Sequence, residues 1–287
     1  MRFFLTIALL LSTLLASAQQ RYALLIGIGE YPQDSGWNTI HGDNDVSIIK
    51  TLLLEQGFIE DNIGVLKNAE ATKSGILSAM EQLRRKAQSG DVVYIQFSGH
   101  GQQITDLNGD EKDNYDEAWI PYDAKKQYVA GVYEGQNHII DDELNAYLNG
   151  LRSKVGVRGK IVLVADACHS GSGTRGLGDD DNVFVRGTNE KFIIPGGSPN
   201  VVRKEEPIYW LYIGACKPFQ KNYEYKTLDG IYYGSLSYVI ANGNVNLVTT
   251  DYRDVISQWR KALAEISRCD QDMDDEGRPS RRSDIMF

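Results

Sequence analysis

The chain has 287 residues, 42% of them hydrophobic, and carries 39 acidic against 30 basic side chains for a net charge of −9. That is enough apolar material for one sizeable core, and 10% aromatic residues with only 7 prolines exclude a mainly disordered chain. The acidic balance excludes nucleic acid as the main partner, because phosphate binding needs a basic face.

Residues 1–18 read as a signal peptide. Arg2 gives a positive start, residues 3–15 are mostly apolar, and Ala16-Ser17-Ala18 is a small-x-small cleavage site. The run is short of the about 20 residues that span a bilayer comfortably. The expectation is export, to a periplasm or beyond the cell, with no membrane span after cleavage. Residues 22–28 form a continuous apolar run suited to a strand buried on both faces. A helix is predicted over 43–58, a strand over 63–66, a helix over 72–87 and a strand over 91–97. Further on come a helix over 141–151, strands over 160–165 and 209–215, and helices over 232–240 and 251–266. This alternation predicts an α/β fold with a mostly parallel central sheet and helices on both faces. Residues 172–207 are rich in Gly, Asp, Asn and Ser and read as a long exposed loop.

Ligands of such sheets gather beyond the carboxyl ends of the strands. The run ending at Phe97 continues into Ser98-Gly99-His100-Gly101, and the run ending at Ala165 into Asp166-Ala167-Cys168-His169-Ser170-Gly171. A thiol attacks as thiolate, and a nearby imidazole promotes that state. His100 and Cys168 are therefore the candidate catalytic pair, with the Gly101 N–H a candidate oxyanion donor. His169, beside Cys168, is an alternative base. His41 and His138 read as surface or loop residues. Of the three cysteines, Cys216 closes an apolar strand and reads as a small core hydrophobe, while Cys269 has no assigned role. The odd count leaves at least one thiol outside an internal bridge.

The ordered pair of an SGHG motif and a DACHSG motif about 70 residues later resembles the caspase superfamily, and within it the bacterial metacaspase-like (orthocaspase) cysteine peptidases. Residues 110–117, 139–144, 211–216 and 230–234 resemble further segments of that family. The resemblance implies a caspase-like (caspase-hemoglobinase) fold in one domain over 19–287. Residues 19–171 would be a large-subunit-like half and 208–287 a small-subunit-like half. It also implies an endopeptidase acting on proteins or peptides. Positions similar to Asp166 and Asp45 line an acidic pocket in those enzymes, which implies cleavage after Arg or Lys; a helix cap is the alternative role for Asp45. A legumain- or gingipain-like peptidase of the same fold is a second reading, and a catalytically quiet calcium-binding or adaptor protein a third.

The acidic segment 106–117 invites a calcium reading, although its glycine sits at the fourth place, which excludes an EF-hand. The resemblance implies a calcium site from Asp116, Asp141 and Asp142; the family's further Asp is replaced here by Arg175. No other cofactor is implied. The exposed loop carries Arg175, Arg186, Lys191, Arg203 and Lys204, the residue types the proposed pocket accepts. Self-processing is expected there, first between Arg186 and Gly187.

Overall fold

A computed structural model describes residues 19–169, 183–196, 208–267 and 271–287. The signal-peptide segment, Arg175, Arg203, Lys204 and Cys269 lie outside the described residues. The apolar runs form the strands β1 (Arg21–Gly27), β2 (Ile63–Lys67), β3 (Val92–Ser98), β7 (Lys160–Asp166) and β8 (Leu211–Gly214). The helices are α1 (Gly42–Glu55), α2 (Lys73–Lys86), α3 (Asp141–Val155), α4 (Ser235–Asn242) and α5 (Tyr252–Ile266). The central sheet has the order β11-β8-β7-β3-β1-β2, where β11 (Asp274–Gly277) is an antiparallel edge and the other five strands are parallel.

Every residue of β3 and β7 is buried, because helices cover both faces. Val92, Tyr94, Val162 and Val164 pack into one core with α1, α4 and α5; Val93, Ile95, Phe97, Ile161 and Leu163 pack into the other with α2 and α3. This is the period-2 alternation of a pleated strand in a three-layer fold. The chain leaves β1 for β2 on one side and reaches β3 on the other, so the order reverses at β1 and the carboxyl ends of β1, β3 and β7 frame a crevice.

Two small sheets were not anticipated from the sequence. Strands β4 (Gly101–Thr105), β5 (Tyr115–Trp119) and β6 (Ile139–Ile140) make a separate antiparallel sheet over a third core that includes Trp37, Ile104, Tyr133 and Phe192. Strands β9 (Glu224–Lys226) and β10 (Tyr232–Gly234) pair antiparallel. The expected helix over 232–240 therefore begins only at Ser235, since its first three residues are committed to that ladder.

Candidate active site

Strands β3 and β7 are neighbours in parallel register, with Ser98 opposite Asp166. The Gly99 N–H donates to the Asp166 carbonyl at 3.3 Å, carrying the pairing one step past the strand ends. His100 and Cys168 thus follow at equivalent places on adjacent strands. The His100 ring is buried, with Nε2 2.9 Å from the Asn38 carbonyl. A carbonyl only accepts, so Nε2 carries the proton and the Nδ1 lone pair is left for chemistry. Nδ1 is buried and has no hydrogen-bond partner among the described residues. Trp37 stacks on the ring at 4.8 Å, and the Tyr31 hydroxyl accepts from the His100 N–H at 3.0 Å. Burial lowers the His100 pKa to about 4, so the imidazole is neutral at pH 7 and able to accept a proton.

Cys168 is 1% exposed, and its thiol donates to the Gln220 carbonyl at 2.7 Å. The Cys216 thiol sits 3.5 Å from the same carbonyl. A hydrogen bond with Cys168, reinforced by burial, pushes the Cys216 pKa up. Cys216 is therefore a neighbour of the candidate nucleophile as well as a core residue. A Cβ at Gly101 would fall 2.7 Å from the Cys168 carbonyl oxygen and 2.8 Å from His169 Cδ2, so glycine there serves close packing of the two motif strands. The Cys168 N–H donates to the Arg186 carbonyl oxygen at 2.7 Å. Burial lowers the His169 pKa to about 4 as well. His169 lines a cavity of about 220 Å³ together with Cys168, Cys216, Trp119, Trp210 and Tyr212.

Arg186 is the main correction to the exposed-loop expectation: its side chain is fully buried. Its Nη1 lies 2.5 Å from Asp45 Oδ2 and 3.5 Å from Asp166 Oδ1, and its Nε donates to Glu224 Oε1 at 3.0 Å. Burial alone would lower its pKa; the Asp45, Asp166 and Glu224 charges outweigh that and raise it. The carboxylates are themselves held. The Gly234 N–H donates to Asp45 at 2.9 Å, and Asp166 accepts from Asn222 Nδ2 at 2.7 Å and from the Ser237 N–H and hydroxyl at 2.7 and 2.6 Å. A Cβ on Gly234 would collide with both the Asp166 carboxylate and the Arg186 guanidinium, so only glycine can close this wall. Asp45 is thus no helix cap; His41 occupies the N-cap position of α1.

The other loop segment is equally committed. The Phe192 N–H donates to the Gln103 carbonyl at 2.8 Å, the Thr105 N–H donates to the Phe192 carbonyl at 3.0 Å, and the Phe192 ring is buried. Lys191 is exposed, with its Nζ 3.4 Å from the centre of the Tyr115 ring. Neither remaining histidine is a plain surface residue. His138 is buried between the Tyr133 hydroxyl and Gln102 Oε1, and His41 Nδ1 is 2.6 Å from Glu224 Oε2.

In the acidic segment, carboxylate oxygens of Asp106, Asp110 and Asp116 lie within 4.8 Å of one another. Asp106 accepts the N–H groups of Asn108, Gly109 and Glu111, which folds the loop around it. Asp142 is tied to the loop through Asn108. Burial first, then neighbouring carboxylates, raise the pKa of Asp116 to about 7 and that of Asp141 to about 8. Asp141 Oδ1 is buried with no partner among the described residues. The structure therefore groups Asp116 first with Asp106 and Asp110, and sets Asp141 and Asp142 beside them.

The description "Metacaspase, peptidase C14 domain" matches residues 21–175, more than half of the chain. The chain belongs to the metacaspase family. It is 38% identical over 166 residues to Metacaspase-1B of Aspergillus fumigatus and 34% identical over 180 residues to Metacaspase-1 of Eremothecium gossypii. These matches cover 55% and 57% of the chain but only 37% and 36% of the relatives. The crystal structure of protein GSU0716 from Geobacter sulfurreducens is 21% identical, with a TM-score of 0.60, covering 91% of this chain and 95% of that one. It shares the fold.

The family match takes in the candidate pair His100 and Cys168, Asp45, Asp166 and the acidic segment, and ends before Arg186 and Glu224. Several residues of this metacaspase's site went unread in the sequence. Glu224 and Asn222 lie in the short β9 region, where no apolar period marks them. Asn38 contributes only its carbonyl, which no side-chain pattern reports. Gln220 likewise acts through its backbone.

Proposed function

We propose that the chain is a cysteine endopeptidase that cuts after Arg or Lys and processes itself between Arg186 and Gly187. The observation that carries this reading is the position of Arg186, whose guanidinium fills the three-carboxylate pocket while its carbonyl oxygen accepts from the Cys168 N–H. A Cβ on Gly187 would come within 3.1 Å of the Cys168 Cβ, so the Arg186–Gly187 peptide lies against the nucleophile. In the mechanism, His100 Nδ1 takes the thiol proton and Cys168 Sγ attacks the carbonyl carbon. The Cys168 N–H stabilises the developing oxyanion, and the imidazolium protonates the leaving amine. Water then hydrolyses the thioester. Among the described residues the three carboxylates of the buried pocket meet one permanent cation, Arg186, with the His41 ring on the second oxygen of Glu224, which favours a cationic side chain from the substrate over the quiet-adaptor reading. A legumain- or gingipain-like preference is the alternative within the fold.

Mass spectrometry of purified protein is the test of self-processing. The wild type is expected to give two fragments, the second starting at Gly187, while Cys168→Ala stays whole. An uncut wild type with full activity would remove the loop as an activation switch. Arg186→Gln is expected to remain uncut at this position, and Arg186→Lys to be cut.

The buried, neutral His100 sets the pH dependence. Protonation removes the base only as pH falls through about 4, so kcat/KM should hold well below the ordinary histidine value of about 6.5 before it declines. An acid limb between pH 6 and 7 would contradict this environment for the base.

Calcium is proposed for the acidic segment. Hard carboxylate oxygens from Asp106, Asp110 and Asp116 are the donor chemistry that calcium takes, with Asp141 and Asp142 beside them. Such an ion would fix the loop that leads into β5. Millimolar calcium is expected to raise the melting temperature by a few degrees, and Asp116→Asn to cancel the gain. Identical melting with calcium and with chelator would leave the segment a solvated acidic loop. Export after cleavage near Ala18 is proposed from the leader-like residues 1–18; N-terminal sequencing of the product from a whole culture tests it. Among the described residues no helix is long and apolar enough to cross a membrane.

A further inference from the structure

Residues ahead of Arg186 lie in the site as an added strand. The Arg186 N–H donates to the Asn222 carbonyl and the Glu224 N–H to the Phe184 carbonyl, both at 3.0 Å, and Val185 bridges Tyr223 in antiparallel sense. An extended peptide held by backbone bonds along a strand edge leaves its side chains to confer specificity. Alternation along such a peptide puts Phe184 on the same side as Arg186. There it meets two rings that stack on each other, those of His41 and Tyr232, at 4.9 Å and 17°. The Phe184 ring stands edge-on to both, 4.6 Å from His41 at 89° and 4.9 Å from Tyr232 at 73°. Those separations and angles fall in the favourable range for aromatic pairs.

The slot is also wired to the pocket below it. Glu224 Oε1 accepts from the His41 N–H at 2.7 Å and from Arg186 Nε at 3.0 Å, while Oε2 lies 2.6 Å from His41 Nδ1. One carboxylate therefore fixes the His41 ring and grips the guanidinium. Tyr232 is fixed from its backbone, its carbonyl accepting from Asn44 Nδ2 at 3.0 Å.

We propose that His41 and Tyr232 form a second specificity subsite, which takes an aromatic side chain two residues before the Arg or Lys at the cut. This rests on the reading of the chain as an Arg/Lys-directed peptidase. The substrate class is then narrowed to aromatic-x-Arg or aromatic-x-Lys sequences, of which Phe184-Val185-Arg186 is the internal example.

The experiment compares kcat/KM of the self-cut wild type on fluorogenic Phe-Val-Arg and Ala-Val-Arg amides, then repeats both with Tyr232→Ala. The expected result is a preference for the Phe peptide of about tenfold or more, collapsing towards unity in Tyr232→Ala. Equal cleavage of both peptides by the wild type would overturn the subsite while leaving the Arg/Lys reading intact. A preference that survives Tyr232→Ala would overturn it too. No cleavage of either Arg peptide would bring down the underlying reading and the subsite with it. Should Tyr232→Ala fail to fold, Phe184→Ala supplies the measurement: the new Gly187 end should form about tenfold more slowly, and an unchanged rate would overturn the inference.

Discussion

Replacing Cys168 by alanine is expected to cut peptidase activity on the order of 10⁴-fold or more in a protein that still folds, and His100→Ala to come close to it. Nucleophile and base act as one unit, so losing either removes nearly the whole covalent route. Folding should survive because the change at Cys168 removes one sulfur atom from a site where the backbone bond to Arg186 remains; about 1 kcal/mol is the usual scale for such a loss. Cys216 makes the experiment more demanding, since its thiol accompanies that of Cys168 at the Gln220 carbonyl. A thiol-reactive arginyl ketone settles which sulfur attacks. Label on the Cys168 peptide, lost in His100→Ala, is the expected outcome. Label on Cys216, or a folded Cys168→Ala protein that still cuts, would move the nucleophile elsewhere.

The inner strands of the central sheet were legible because they are buried on both faces, which forces long apolar runs such as 22–28 and 160–165. His100 and Cys168 were legible as a candidate pair because both follow such runs directly, so the strands alone placed them at neighbouring strand ends. Residues 101–105 hid their strand: Gln102 is wholly buried, yet it bonds the Lys126 and Glu190 carbonyls through its amide, and hydropathy alone reads such a residue as exposed. The loop failed for a related reason. Arg186 looks like a solvated basic residue until carboxylates from residues 45, 166 and 224 converge on it, and no local window contains those partners. The choice of the Arg186–Gly187 bond came from the local chemistry of the cut, whereas the burial that supports it is a property of tertiary structure. In the acidic segment, charge density was visible in the sequence, but the turn that gathers Asp106, Asp110 and Asp116 depends on backbone N–H groups folding onto Asp106.

Asp45 and Asp166 both face the guanidinium, yet their substitutions should fail in different ways. Asp45 is the closer partner, at 2.5 Å to Nη1 and 3.3 Å to Nη2. In Asp45→Asn one oxygen can still accept from the Gly234 N–H, which leaves the amide NH₂ turned towards a cation. Donor then faces donor in a buried site, a loss of about 3–5 kcal/mol, so kcat/KM on Arg substrates should drop about 10²- to 10⁴-fold with the fold retained. Asp166 accepts from three donors, on Asn222 and Ser237, besides its longer contact with Arg186. Asp166→Asn would set an NH₂ against one of those donors at the base of the pocket, so its first effect should be a lower melting temperature. The two variants are separated by measuring kcat/KM on Arg and Asp peptides beside thermal unfolding. Asp45→Asn with unchanged activity on Arg peptides, or a wild type that cuts efficiently after Asp, would show that the three carboxylates do not select the substrate's side chain.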